Sequence, residues 1–258
     1  MRPPTSYCYL LDADADLAQE FDLRMRVVVR QVATAVVFEI PVGEHVPSDW
    51  LAPHMAQGGL GLLVLDGVIA IEVHVEDRTA TELVGTGDLL QPPDRTSDEL
   101  LDHLDGWHVL VTARVAALDA AFAERVRPWP QIALALLRRA SKRATDLDVQ
   151  RAIACQPRLE VRLTLMLWHL ATRWGRVEMG GIRLSLPLTH RLLGQLVGAE
   201  RPSVSHALAR LAEAELVTGR GDEWHLHGTL DQHLACLADR GHHEGTEGGT
   251  APVTQTPT

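Results

Sequence analysis

The sequence predicts an α+β chain with its strands first and most of its helices last. Three observations carry this. Short apolar runs punctuated by turn residues fill residues 27–90. Apolar residues at helical spacing take over from Pro130. Between Leu188 and Gly228, two short amphipathic patterns flank a glycine and lead into an alternating hairpin pattern.

In the first region, VVFEIPVGEH (Val36 to His45) reads as a strand that runs into a Pro-Val-Gly turn. LGLLVLDGVIAIEVHVE (Leu60 to Glu76) reads as two strands about Asp66-Gly67, a strong hairpin-turn pair. ATELVGTGDLLQP (Ala80 to Pro92) adds a strand that ends at Gly85-Thr86-Gly87-Asp88. Several short strands with frequent turns argue for a sandwich or an antiparallel roll.

From Pro130 to about Cys155, Ile132, Leu136, Ala140, Ala144 and Leu147 recur roughly every fourth residue. Little neighbouring chain is available to cover such a stripe, which favours a dimer seam. The alternative is a helix packed on its own β-layer. RLEVRLTLMLWHLATRWGRV (Arg158 to Val177) is a second helix, with Leu163, Leu167, Leu170 and Trp174 as its stripe and Gly175 as its stop. The end of the chain is rich in Gly, Thr and Pro and nearly devoid of apolar residues, and it reads as disordered.

The stretch from Leu188 to Val217 is the most informative. Thr189 suits an N-cap, and Leu192, Leu193 and Leu196 give one apolar face. Gly198 falls where a left-handed residue ends the helix, and Pro202 where a second helix begins. Val204, Leu208 and Leu211 form the buried stripe of that helix. Its other face offers Arg201, Ser203, Ser205, His206 and Arg210. Arginine reads guanine with a bidentate fork, and small hydroxyl residues permit close approach and donate to phosphate. LVTGRGDEWHLHG (Leu216 to Gly228) then reads as a hairpin with Trp224 and Leu226 inward and Arg220 at its tip. Two helices across a tight turn, followed by a hairpin, make a winged helix-turn-helix.

The pattern TxxxLGxxVGxxRxxVSxxLxxLxxxxLV, from Thr189 to Val217, resembles the DNA-binding domain of the Crp/Fnr family of bacterial transcription regulators. PVGE, LVLDGVIAI and GTGDLL, in that order, resemble the β-roll effector domain of the same family. The resemblance implies a homodimer on palindromic double-stranded DNA, in the cytoplasm, with RNA polymerase a further candidate partner and the effector unknown. It implies that Thr189 and Ser203 contact phosphate and that Arg201 reads a base. Pro202 stands where the best-known members have a base-reading glutamate, and His206 where they usually have an arginine. After Gln91 the resemblance fails. Members that bind cyclic nucleotides continue into a Gly-Glu pair and then an Arg-Ser or Arg-Thr pair, whereas this chain reads QPPDRTSDELLDHLDGWHVLV. Arg95-Thr96 lies too near the turn, and Asp94, Asp98, Glu99, Asp102 and Asp105 surround it. The expectation is that cyclic AMP and cyclic GMP do not bind.

Composition is that of a soluble globular protein, with a net charge of −10. The charge is uneven. Residues 1–126 hold 8 basic and 21 acidic side chains, and residues 127–181 hold 10 and 4. The excess acid therefore sits away from the helix-turn-helix, and modest DNA affinity is expected. No membrane span or secretory signal is evident, and Cys8, Cys155 and Cys236 suggest a reducing compartment. Asp98, Asp102, His103 and His108 suit a metal less well than a solvated acidic loop-helix. DADAD (Asp12 to Asp16) reads as a surface turn. Neither a cofactor nor a metal site is expected, and no enzyme fingerprint appears.

The expected organisation is a β-roll over residues 1–126, a dimerisation helix over 127–155, a winged helix-turn-helix over 156–235 and a disordered tail over 236–258. The expected function is a sequence-specific transcription regulator. Its alternative is a small-molecule or metal-sensing module with weak or vestigial DNA binding.

Overall fold

The computed structural model describes residues 5–46, 58–90 and 104–244. Two compact units divide the chain, Met1–Val149 and Gln150–Thr258.

In chain order the first unit contains β1 (Thr5–Tyr9), α1 (Leu10–Ala13), α2 (Ala15–Gln19), α3 (Leu23–Val32), β2 (Thr34–Ile40), β3 (Gly43–His45), β4 (Gly61–Val75), β5 (Arg78–Gly85), β6 (Leu89–Leu90), β7 (Leu104–Leu118), α4 (Ala120–Val126) and most of α5 (Pro130–Ala154). Its strands form one sheet ordered β1-β2-β7-β4-β5, with β3 against β7 and β6 against β4. Alternation along the strands feeds two cores. Phe38, Ile40, Val84, Trp107, Val109 and Val115 fill one face. Ala35, Val37, Ala116 and Leu118 pack the other against Leu10, Leu17, Phe122 and Ile132 from the helices.

The Asp66-Gly67 pair does not make a hairpin. It lies inside β4, a continuous 15-residue strand. The pairing of β4 with β7 shifts register between Val64 and Asp66 and again between Asp66 and Val68. The inward parity flips across this bulge: Leu62 and Val64 face the strand core before it, and Ile69 faces the same core after it. An Asp-Gly dipeptide supplies the same positive φ to a bulge as to a turn, so composition alone did not separate the two. The acidic stretch is also corrected. Trp107 and His108 lie on β7 rather than on a loop-helix, and Asp98, Asp102 and His103 lie outside the described residues.

The unit begins earlier than the β-rich region suggested, with β1 paired to β2 and three helices before it. DADAD is not a free turn. The Asp14 carboxylate caps α2 by accepting from the Leu17 amide at 2.9 Å, and it pairs bidentately with Arg139 of α5, one contact being 2.8 Å. A second bidentate pair joins Arg143 of α5 to Glu82 of β5 at 2.8 and 2.7 Å. Both pairs are largely shielded from solvent and fix how α5 lies on the roll.

Burial alone would raise the Asp14 pKa. The hydrogen bond from Arg139, the Leu17 amide and the Arg139 charge outweigh it and hold the carboxyl below its usual range. A depressed folded pKa gives stability that is present above the unfolded value, about 3.9, and is lost as pH falls through the folded value. Arg139→Ala strands the carboxylate and is expected to cost about 3 kcal/mol near neutrality. In the variant, burial favours the protonated acid, so the deficit relative to the parent should shrink as pH falls from about 7 to about 3. Urea unfolding across that range checks both the size and the sign.

Part of the long-helix stripe, Ile132 and Leu136 with Ala140 beside them, is turned inward. Ile132 is 0% and Leu136 2% exposed, and both belong to the helix-side core of their own unit. The face of α5 left open carries Leu134, Leu137 and Ala144. Spacing alone revealed an apolar stripe but not which partner covers it.

The second unit contains α6 (Leu159–Trp174), β8 (Gly175–Glu178), β9 (Gly181–Ser185), α7 (His190–Val197), α8 (Arg201–Glu213), β10 (Val217–Arg220), β11 (Glu223–His227) and α9 (Leu230–Glu244). Gly175 ends α6 as expected, but a second hairpin follows and extends the wing into a four-stranded sheet ordered β10-β11-β9-β8. The boundary at 236 is also corrected, because α9 continues to Glu244 and buries Leu237. Its His233 is buried, accepts from the Trp168 indole and bonds the His227 carbonyl at 2.6 Å. Burial holds this imidazole below its ordinary pKa against the opposing carbonyl bond. His233 thus ties α9 to α6 and the wing. Among the described residues, no helix is long and apolar enough to cross a membrane.

Candidate nucleic-acid interface

The interface is built on α7 and α8. The Thr189 hydroxyl accepts from the Leu192 amide at 3.1 Å and caps α7. Leu192, Leu193, Leu196 and Val197 are buried beneath it. The helix ends at Gly198 in a left-handed conformation, φ 66° and ψ 47°. The turn closes so tightly that a Cβ on Gly194 would lie 2.4 Å from the Ala199 carbonyl oxygen, so position 194 admits only glycine. Arg162 of α6 donates to the Val197 carbonyl at 2.9 Å, which places a cation at the negative end of the α7 dipole.

Pro202 lies in the first turn of α8, where its missing amide costs nothing. Val204, Ala207, Leu208 and Leu211 are buried and seat this helix on the core. That burial fixes the rotation of α8 and leaves Arg201, Pro202, Ser203 and His206 exposed. Ser205 is half-buried. Its hydroxyl donates to the Arg201 carbonyl at 3.1 Å and meets His190 Nδ1 at 2.8 Å. The wing pairs Val217 with Leu226 and Arg220 with Glu223. Trp224 and Leu226 turn inward, and Arg220 is exposed beside the turn.

The structure joins the start of α7 to α8 through His190 and Ser205 and sets Arg220 on the wing hairpin. It does not leave Arg210 free. That guanidinium pairs with Glu160 of α6, whose side chain is 11% exposed. A buried carboxylate needs a counter-charge, so Arg210 secures α8 to α6 while its side chain stays half exposed. Sequence reading missed both this pair and His190, because each depends on contacts between separate helices. Glu178 and Glu223 are engaged by Arg183 at 2.6 and 3.1 Å, which offsets acid on the wing sheet.

Between α8 and the wing lies an open cleft of about 500 Å³, with Thr189, His190, Ser205, Ala209, Asp222 and Trp224 in its lining. The three cysteines are free thiols. Among the described residues, no cluster of three or more His, Cys, Asp or Glu could hold a metal ion.

Residues 161–227 match the model of the Crp-like helix-turn-helix domain. The chain is 28% identical over 136 residues to a CRP-like cAMP-activated global transcriptional regulator of Mycobacterium tuberculosis. The match covers 51% of this chain and 56% of that protein, so the chain spans about half the length of the curated relatives it matches. The fold is that of a transcriptional regulator of the CRP/FNR family from Thermus thermophilus, with TM-score 0.55, 18% identity, and coverage of 78% of this chain and 98% of that one. It is also that of the c-di-GMP responsive global regulator CLP of Xanthomonas campestris, with TM-score 0.57, 17% identity, and coverage of 84% and 100%.

Proposed function

This chain carries a Crp-like helix-turn-helix domain within the fold of the Crp/Fnr regulators, and from that premise we propose that it is a sequence-specific transcription regulator acting as a homodimer on a palindromic operator. One observation carries the reading. α8 buries Val204, Ala207, Leu208 and Leu211 while its first turn turns Arg201, Pro202 and Ser203 to solvent, and Ser205 of the same helix bonds His190 at the capped start of α7. A helix held this way enters the major groove with its N-terminal residues at base edges.

Arg201 takes the base-reading role. Thr189, Ser203 and Arg220 take phosphates, with Ser205 and His206 at the edge of the contact. Pro202 stiffens the first turn and reads no base through a hydrogen bond. Two copies pair through the open face of α5, with Leu134, Leu137 and Ala144 in the seam in place of Ile132 and Leu136. The cyclic AMP response named for the relative is not carried over, because this chain lacks the Gly-Glu pair after Asp88.

The test is selection of bound duplexes from a random library with the purified full chain, followed by the same assay on Arg201→Ala. The variant is expected to lose about 1–3 kcal/mol at the selected site and to relax preference at one base pair per half-site. Unchanged affinity with unchanged preference would remove Arg201 from the reading role. Absence of any sequence preference in the parent would remove the regulator reading itself.

A further inference from the structure

We propose that docking on DNA takes up a proton at His190, so that affinity rises as pH falls from about 8 to about 6. The inference rests on the DNA-binding reading and adds a proton-linked contact to it. His190 opens α7 next to Thr189 and is exposed. Its Nδ1 lies 2.8 Å from the Ser205 hydroxyl of α8. That hydroxyl has one hydrogen and donates it to the Arg201 carbonyl at 3.1 Å. With the hydroxyl hydrogen on that carbonyl, the oxygen presents a lone pair to the ring, an arrangement that puts the ring hydrogen on Nδ1.

In the neutral ring this leaves Nε2 as a bare acceptor. Nε2 makes no hydrogen bond among the described residues. A phosphodiester oxygen meeting that lone pair is repelled. The same oxygen meeting a protonated Nε2 receives a charge-assisted hydrogen bond. Contact with the DNA backbone therefore draws a proton from solvent onto Nε2, and the imidazolium is held in orientation by Ser205. The His190 ring lies 6.5 Å from the Trp224 ring, centroid to centroid. The charged groups on the surrounding elements are Arg191 on the same helix, Arg201 and His206 on α8, and Arg220, Asp222 and Glu223 on the wing. Asp222 is the one charged residue that shares the cleft lining with His190.

The experiment measures the affinity of the full chain for its selected duplex at constant ionic strength between about pH 6 and pH 8, for the parent and for His190→Gln. The other histidines are common to both proteins, so the difference isolates position 190. The parent is expected to gain about fivefold more affinity per half-site than the variant across that range, about 25-fold for the dimer, as a pairing worth about one pKa unit at each His190 requires. Parallel gains in the two proteins overturn the proton uptake and leave the DNA-binding reading standing. Failure to bind DNA at any pH overturns both. A second measurement needs no DNA: nitrogen-15 NMR of the free chain near pH 8 is expected to show the hydrogen of the neutral His190 ring on Nδ1. A hydrogen on Nε2 overturns the proposal.

Discussion

Leu136→Asp is expected to unfold the first unit, and Leu137→Asp, one residue along, to leave it folded and weaken self-association. The two positions lie about 100° apart on the helix. Leu136 is 2% exposed, among Leu17, Phe122, Val126 and Ile132. A carboxylate there loses a buried leucine's packing and gains a charge without a partner, which should cost roughly 4 kcal/mol or more. Leu137 is 61% exposed on the open side of α5. Aspartate there changes little within one copy, but it places two like charges across the proposed two-fold seam. Circular dichroism against temperature should show a transition lowered by more than about 10 °C for Leu136→Asp. Sedimentation should show a lighter species for Leu137→Asp at a concentration where the parent is a dimer. A folded, dimeric Leu136→Asp protein would contradict the core assignment. A dimeric Leu137→Asp protein would move the seam off this face.

That contrast shows where the sequence was legible. Periodicity announces that a helix has an apolar stripe, and α5, α6, α7 and α8 all appear near their expected positions. It does not name the partner of the stripe. For α5 the answer depended on Asp14 and Glu82, more than 60 residues away, whose ion pairs with Arg139 and Arg143 turn Leu136 toward the roll. Arg210 is the same case in the reading head, since nothing within α8 signals that Glu160 claims it. The helix-turn-helix was legible because its constraints are local. A cap at Thr189, a left-handed Gly198 and a proline in the first turn each follow from short-range backbone chemistry. His190 needed the fold, because its bond to Ser205 spans fifteen residues.

Gly67→Ala is the second large effect expected, and Gly87→Ala is its control. Both glycines hold nearly the same left-handed backbone, φ +90° and +89°. Any L side chain is strained there by about 1–3 kcal/mol. Their surroundings differ. Around Gly87 a Cβ meets nothing within 4 Å. At Gly67 it would lie 2.4 Å from the Thr112 carbonyl oxygen and 2.6 Å from the Ala113 Cα, both backbone of the central strand β7. Neither can withdraw without breaking the β4–β7 ladder. The bulge also sets the side-chain parity of β4, so displacing it turns Ile69 away from the strand core. Gly87→Ala should cost about 1 kcal/mol and Gly67→Ala about 3 kcal/mol or more. Urea unfolding of the two variants reads the difference directly. Equal losses would mean that only the backbone angle matters and that the close approach of β4 to β7 at Gly67 is not a constraint on the roll. A larger loss at Gly67, with the midpoint moved and the slope unchanged, would place the cost in the folded state, where the bulge requires a residue without a side chain.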